Sequence, residues 1–260
     1  MIVDRPVQGA TALAFNGSTQ YAKTSTAIGS DSKLCTGFIS FRRATDVSGV
    51  ERLLTLRQHN APGAGFSMLL FLQRFTITAE SAANSVVLTF GGSTDITDTT
   101  AYHTFLFSFD LTSTSKRWVL YDRVMEPDAG FTTYIDTTID FTGTTNSGDS
   151  ANAIAALGSN SITAFGQKFN GAIARMWLFT GVYIDLSLTN GLTGGCLRYL
   201  NMLKFIKQGR SYLRNLNDNG SSVTGSAPSL YHRDGNPGSP GAGPTFTLVG
   251  TPGTVTGPDA

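Results

Sequence analysis

Apolar and polar positions alternate along most of the first 180 residues, at the period of two that marks strands with one face buried. The runs read as strands are Ala12–Phe15, Tyr21–Lys23, Leu34–Arg42, Arg52–Arg57, Phe66–Phe71, Arg74–Glu80, Ser85–Phe90, His103–Asp110, Arg117–Tyr121, Asp136–Phe141, Ala153–Leu157 and Gly171–Phe179. Gly, Asn, Asp, Ser and Thr fill the short gaps between them, the spacing expected of an antiparallel sandwich. Residues 66–77 read as a hairpin turning near Gln73, with Phe66, Met68, Leu70 and Leu72 on one face. Two Asn-Gly pairs, Asn16-Gly17 and Asn170-Gly171, stand beside alternating apolar residues and predict tight turns, because Asn and Gly take positive φ cheaply. The strings that carry them are expected at edges of one sandwich, the second with Ile173, Met176 or Trp177, and Phe179 pointing inward.

After Thr189 the period changes. Cys196, Tyr199, Leu200, Leu203 and Ile206 recur at helical spacing, Arg198, Asn201, Lys204 and Lys207 take the other face, and Gly209 stands at a C-terminal stop. This predicts one amphipathic helix docked on the sandwich. From Asn217 onward the chain is rich in Gly, Pro, Ser and Asn, yet Pro228–Tyr231 and Thr245–Val249 keep strand spacing. The expected division is a sandwich over residues 1–190, with residues 1–11 as an N-terminal arm, and a helix plus extended segment over 191–260 packed against it.

The motifs carry a resemblance. Ala12, Leu13, Phe15, Gly17 and Tyr21 match the opening strand of the laminin-G-like, concanavalin A-like jelly roll, and Phe169, Gly171, Ile173 and Phe179 match its closing strand. Tyr102–Leu111 and Arg117–Asp122 resemble the family's middle strand pair, with Tyr102 in place of the usual Trp. The tail, through Lys204, Phe205, Ile206, Gly220, Thr224, Gly225, Pro228, Leu230, Tyr231, Phe246, Thr247 and Gly250, resembles the C-terminal part of jelly-roll proteins encoded among bacteriophage structural genes. It departs from them at Leu203 and in the Pro-rich loop Gly235–Pro244. The resemblance implies an all-β fold, an antiparallel concanavalin A-like jelly-roll sandwich with one C-terminal amphipathic helix and an extended Gly/Pro-rich tail.

Charged residues make up only 14% of the chain, against roughly a quarter in average proteins, and the net charge is +1. Such a surface carries hydroxyls in place of charges and offers no electrostatic footprint for nucleic acid or an anionic membrane. The first 14 residues, with Asp4 and Arg5, do not read as a secretory signal, and no apolar run approaches a membrane span, so a soluble protein made in a cytoplasm is expected. Cys35 and Cys196 fit no metal-ligand spacing; two buried free thiols suit cytoplasmic synthesis better than a disulfide, which stays open as the alternative.

Candidate chemistry is sparse. Retaining glycosidases of this fold need carboxylates in an E-x-D-x-x-E arrangement flanking the sugar bond, and of the three glutamates Glu51 and Glu80 have no acidic neighbour two residues away, while Glu126, followed by Asp128, has Phe131 where the last carboxylate belongs. No Gly-x-Ser-x-Gly elbow accompanies His59, His103 or His232; His103 reads as a packed strand residue, the other two as loop residues. The expectation is therefore no enzyme, with no catalytic residues. Calcium is a possibility raised by the oxygen-rich runs Asp95–Asp98 and Asn146–Asp149, though turn-forming side chains explain both and no metal or other cofactor is expected. Of the aromatics that could stack on sugars, Tyr102, Trp118, Tyr121, Phe131, Tyr134 and Tyr231, Trp118 reads as buried, turned inward or into a sheet contact. The candidate ligand-binding residues are Tyr134, Tyr231 and His232.

With the resemblance added, the expected function is a non-enzymatic bacteriophage virion protein, a head or tail decoration or accessory component. Its partners would be capsid or tail proteins, further copies of itself in the particle, and surface glycans, with no nucleic acid and no membrane. Its location would be the virion. A stand-alone carbohydrate-binding lectin or host-receptor adhesin is the alternative, and a glycan-cleaving enzyme comes third.

Overall fold

A computed structural model of the chain describes residues 11–24, 31–46, 48–57, 65–81, 86–121, 124–125, 138–139, 169–186, 229–233 and 246–257. All regular structure among them is β: β1 Thr11–Asn16, β2 Tyr21–Thr24, β3 Leu34–Arg43, β4 Val50–Arg57, β5 Gly65–Phe71, β6 Arg74–Glu80, β7 Val86–Asp95, β8 His103–Asp110, β9 Arg117–Tyr121, β10 Val124–Met125, β11 Asn170–Thr180, β12 Leu230–Arg233, β13 Phe246–Val249 and β14 Gly253–Thr256. Every pairing between them is antiparallel.

The larger sheet runs β10-β9-β8-β3-β11-β1-β14, and the smaller one runs β4-β5-β6-β7. Their facing sides are joined by aromatic rings. Phe75 of β6 stacks on Phe105 of β8 with centroids 4.2 Å apart, Phe66 of β5 lies 5.8 Å from Phe107, and Phe90 of β7 meets Phe109 edge-on at 6.0 Å. Phe105, Phe107 and Phe109 face this core because strand side chains alternate, which turns Thr104, Leu106, Ser108 and Asp110 to the far side. The two layers form a sandwich with one continuous aromatic and aliphatic core.

The second face of the large sheet is buried as well. Phe38, Leu106, Leu120, Trp177 and Phe179 occupy its outward register and are all essentially inaccessible, with Phe38 and Trp177 stacked at 5.2 Å. Every residue of β8 is buried for this reason. At one end residues 181–186 cross this face: Thr36 Oγ1 donates to Val182 O at 3.0 Å, and Ile184 N donates to Ser108 Oγ at 2.9 Å. The predicted helix around Cys196–Ile206 and the predicted strand Ala153–Leu157 lie outside the described residues, and of Asp136–Phe141 only Ile139 is seen in an isolated bridge, to Ser32 and Ser81.

Several local readings change. Asn16-Gly17 is a turn, Gly17 having φ 66°, but it does not close a hairpin: β1 enters the large sheet and β2 a separate two-stranded one. The chain bends in the same way between β13 and β14, so two bent strands pair along both arms, β1 with β14 and β2 with β13. Gln20 Nε2 ties the two bends by donating to Thr251 O at 3.0 Å. Asn170-Gly171 is no turn; it opens β11, and a Cβ on Gly171 would sit 2.2 Å from Arg42 O, so close strand approach requires the glycine. β1 and β11 are hydrogen-bonded neighbours inside the sheet, not edges. A bulge between Ile173 and Arg175 keeps Ile173 and Met176 facing the core while Trp177 and Phe179 take the other side. β12 then continues beyond β1 along the same edge of β11. Leu72 leaves the core face that Phe66, Met68 and Leu70 share, because it stands in the two-residue β5–β6 turn with φ 47° and lies 57% exposed.

One rim of the sandwich is organised by charge. Arg43, fully buried at the end of β3, donates through Nε to Glu51 Oε2 at 2.8 Å, through Nη1 to Asp46 Oδ1 at 2.9 Å, and to Ile96 O. Gln73 Nε2 donates to the same Asp46 oxygen at 2.7 Å, Ile96 N donates to Gln73 O at 2.8 Å, and Ala44 N donates to Asn170 O at 2.8 Å. Burial pushes the Glu51 carboxyl up despite the Arg43 guanidinium beside it. Folded Glu51 therefore takes a proton more readily than unfolded Glu51. Burying its charge costs stability at neutral pH, and that cost is relieved as pH falls through the raised value.

Two outcomes are expected in urea unfolding. Arg43→Met leaves Glu51 buried without its cation and lowers stability by about 3–5 kcal/mol, whereas Arg43→Met with Glu51→Met recovers most of the loss. Leu72→Asn puts a residue suited to positive φ at the turn and raises stability by about 0.5–1 kcal/mol.

Candidate functional site

The outer side of the large sheet carries a cluster of aromatic and charged groups where β8 and β9 meet residues 181–186. In β9 the alternation turns Val119 and Tyr121 into the core, and Trp118, opposite Ser108, outward. Its indole Nε1 donates to Tyr183 Oη at 2.8 Å, and both rings stay partly exposed. Lys116 Nζ stands 5.4 Å from the centroid of the Tyr183 ring and 2.8 Å from Asp110 Oδ2. Asp110 also accepts from the Thr112 amide at 2.9 Å and its hydroxyl at 2.6 Å.

The cluster is held from beneath. The hydroxyls of Thr36 and Ser108, 2.8 Å apart, anchor Val182 and Ile184 on either side of Tyr183. A phenol brought in by an irregular segment thus sits on a rigid sheet, in contact with an indole and an ammonium. Partial burial pushes the Asp110 carboxyl up, but Lys116 and Thr112 outweigh it and hold the carboxyl below its usual range, while the same pairing raises the Lys116 ammonium. Burial pushes the Tyr183 hydroxyl up against the opposing Trp118 hydrogen bond. All these groups are in their neutral-pH forms: a stacking surface with a fixed cation, and an acid already spent on that cation. Such a surface suits a sugar ring laid on aromatic faces with hydroxyls near a charged donor.

The residues chosen from sequence, Tyr134, Tyr231 and His232, are not among those described in this cluster. Tyr134 lies outside the described residues. Tyr231 and His232 lie in β12, their backbones opposite Trp177 and Met176, so His232 is a strand residue and not the loop residue expected; their side chains are outside what is described. Trp118, expected to be buried in the core or in a sheet contact, takes the outward side, half-buried against Tyr183. His59, Phe131, Asn146–Asp149 and Cys196 lie outside the described residues, and Cys35 is a buried free thiol. His103 is packed as expected: Nε2 meets Asp98 O at 2.7 Å, which fixes the proton there, and Nδ1 accepts from Tyr121 Oη at 2.8 Å. Of the oxygen-rich run, Asp95 pairs with Arg74 at 2.7 Å, and Asp98 caps the amide and hydroxyl of Thr100, bonds that hold its carboxyl down. No three metal-ligating side chains come together among the described residues. Tyr183 was missed because its partner is 65 residues away, and only the outward phase of Trp118 in β9 pointed to this place.

No protein-family model and no curated protein matches the chain. Among solved structures it is similar to the SAP-like pentraxin of Limulus polyphemus, with 6% identity over 66% of this chain and 76% of that one, TM-score 0.43. It is also similar to domains LG4-5 of the mouse laminin alpha1 chain, with 12% identity over 72% and 48%, TM-score 0.43. A third similar structure is the carbohydrate-binding module CBM40 of the Ruminococcus gnavus IT-sialidase, solved with alpha2,3 sialyllactose, with 12% identity over 67% and 91%, TM-score 0.43. Likenesses this distant carry no argument, and the architecture rests on the strand order and register.

Asp110 gives a pH prediction. Its stabilising contribution is present above the ordinary carboxylate value of about 4 and is lost as pH falls through the lower folded value. Asp110→Asn is expected to lower stability at pH 7 and to narrow the difference at pH 3, read from urea midpoints at both.

Proposed function

We propose that this protein is a non-enzymatic bacteriophage virion component, a concanavalin A-like jelly roll displayed on head or tail, that contacts surface glycans through Trp118, Tyr183 and Lys116. The observation that carries the binding part is the Trp118–Tyr183 pair, two partly exposed rings locked by a 2.8 Å hydrogen bond, Trp118 on β9 and Tyr183 on a segment tied to the sheet through Thr36 and Ser108. Holding rings in place before a ligand arrives removes part of the ordering cost of binding. The non-enzymatic part is supported by the use of the acids: Glu51, Asp46, Asp95 and Asp110 are each engaged with Arg or Lys. Carboxylates tied to cations in this way are not the free acid and base that sugar-bond hydrolysis by a carboxylate pair requires.

The virion part is supported by the resemblance of the tail, from Lys204 to Gly250, and by the low content of charge. In the assembled particle the partners are capsid or tail proteins and further copies of the chain. Glycan contact needs no calcium in this reading, since Asp95 and Asp98 direct their carboxylates to Arg74 and Thr100. A stand-alone lectin or adhesin would use the same cluster, and association with particles separates the two.

On a glycan microarray the protein is expected to bind with or without calcium. Trp118→Ala is expected to weaken binding at least tenfold, the loss of about 1.4 kcal/mol, while Trp118→Phe retains most of it. Co-sedimentation with assembled particles is expected alongside. Array silence under both conditions would end the glycan reading, and binding without co-sedimentation would favour the stand-alone lectin.

A further inference from the structure

At the other end of the outward side of the large sheet, Ala12 of β1 and Ala172 and Ala174 of β11 make a floor of small side chains, and Tyr102 and Val255 pack on it. Tyr102 is fixed there by donating its hydroxyl to Thr256 O at 2.8 Å. The Arg42 guanidinium lies 5.3 Å from the centroid of the Tyr102 ring. The layering is alanine, phenol ring, guanidinium, and it joins β3, β11 and both chain-end strands, β1 and β14.

Arg42 differs from the cations around it. Arg43, Arg74 and Lys116 each hold a carboxylate, whereas Arg42, partly exposed, makes neither an ion pair nor a hydrogen bond among the described residues. Its five N–H donors are held in place by the ring and remain available. Two positions back on the same face, Ser40 is fully buried and its Oγ has no hydrogen-bond partner among the described residues. No Asp or Glu occurs in β1, β3, β11 or β14 to balance Arg42.

We propose that Arg42, held on Tyr102, is a carboxylate-binding subsite for an acidic polysaccharide bearing uronic acid units. The proposal deepens the glycan-contact reading above and rests on it. Charge complementarity selects an anion, and the planar guanidinium matches a planar carboxylate through two parallel hydrogen bonds. Sugar in place of peptide follows from the glycan reading on which the proposal rests, and the alanine floor that could take an apolar peptide side chain is already covered by Tyr102 and Val255. Arg42 then sets the acidic character of the glycan and Trp118 with Tyr183 its ring stacking.

The test is calorimetric titration of the full chain with a uronic acid oligosaccharide and with its carboxyl-reduced neutral counterpart, at low and high salt. The acidic form is expected to bind at least tenfold tighter than the neutral one, and the preference is expected to shrink as salt screens the charge. Arg42→Ala is expected to abolish the preference and Arg42→Lys to restore it only in part, with thermal midpoints close to the parent for both. Equal affinity for the two forms, no binding of the acidic form, or a preference that survives Arg42→Ala would overturn the subsite. Neutral-glycan binding that Trp118→Ala removes and Arg42→Ala leaves would overturn the subsite while the glycan reading stands; absence of all glycan binding overturns both.

Discussion

A guanidinium taken fully out of water is tolerated only when its donors are met, and Arg43 meets them with groups from separate parts of the chain. Glu51 opens β4, Asp46 lies in the β3–β4 connection, and Ile96 follows β7, while Gln73 of the β5–β6 turn reaches in to share Asp46. Asn170, opening β11, extends the network through its amide toward Glu51 at 3.5 Å and its carbonyl to Ala44. The end of the large sheet and the turns of the small one are thereby fixed together, so none of these connections can shift without exposing a buried charge. The strained β5–β6 turn belongs to this constraint: Gln73 holds φ 69° because its side chain and carbonyl are both engaged at the rim.

From that rim the outward side of the large sheet is laid out by register. β3 and β11 run antiparallel from Arg43 and Gly171 at one end to Cys35 and Thr180 at the other, with Arg42 beside the rim and Thr36 beside residues 181–186. The middle, Phe38, Trp177 and Leu106, is apolar and buried, and the polar groups are confined to its two ends. Each end holds a cation over a tyrosine ring, Arg42 over Tyr102 and Lys116 over Tyr183. They differ in what neutralises the cation, which is Asp110 for Lys116 and no acid among the described residues for Arg42.

How much of this could be read from the chain depended on range. Where alternation alone decides, as in His103–Asp110 and Arg117–Tyr121, the strand limits read from the sequence and those in the structure coincide. Where a turn residue has two uses the reading failed: Asn16-Gly17 makes a bend between sheets, and Gly171 serves close packing under Arg42 O. Leu72 fits the period of its strand and still lies outside it, because the pairing of Phe71 with Arg74 ends the ladder one residue earlier. β14 went unread since Gly253–Thr256 has little apolar signal and owes its place to β1. The Trp118–Tyr183 cluster was out of reach for the same reason. Tyr134 and Tyr231 were chosen for polar neighbours in sequence, whereas Trp118 and Tyr183 meet only through the fold.

The two ends also explain why the sheet is apolar on both faces. A sheet whose second face was open would place its aromatics in water and leave Tyr102 and Tyr183 free to rotate, so that any ligand would carry the cost of ordering them. With Phe38, Leu106, Leu120 and Trp177 buried, the strands beneath both tyrosines are packed from two sides, and each ring is held further by one hydrogen bond, to Thr256 O or from Trp118 Nε1. Rigidity at the two ends therefore follows from burial in the middle, and a loss of packing at Phe38 or Trp177 reaches both ends although neither residue lies in either cluster.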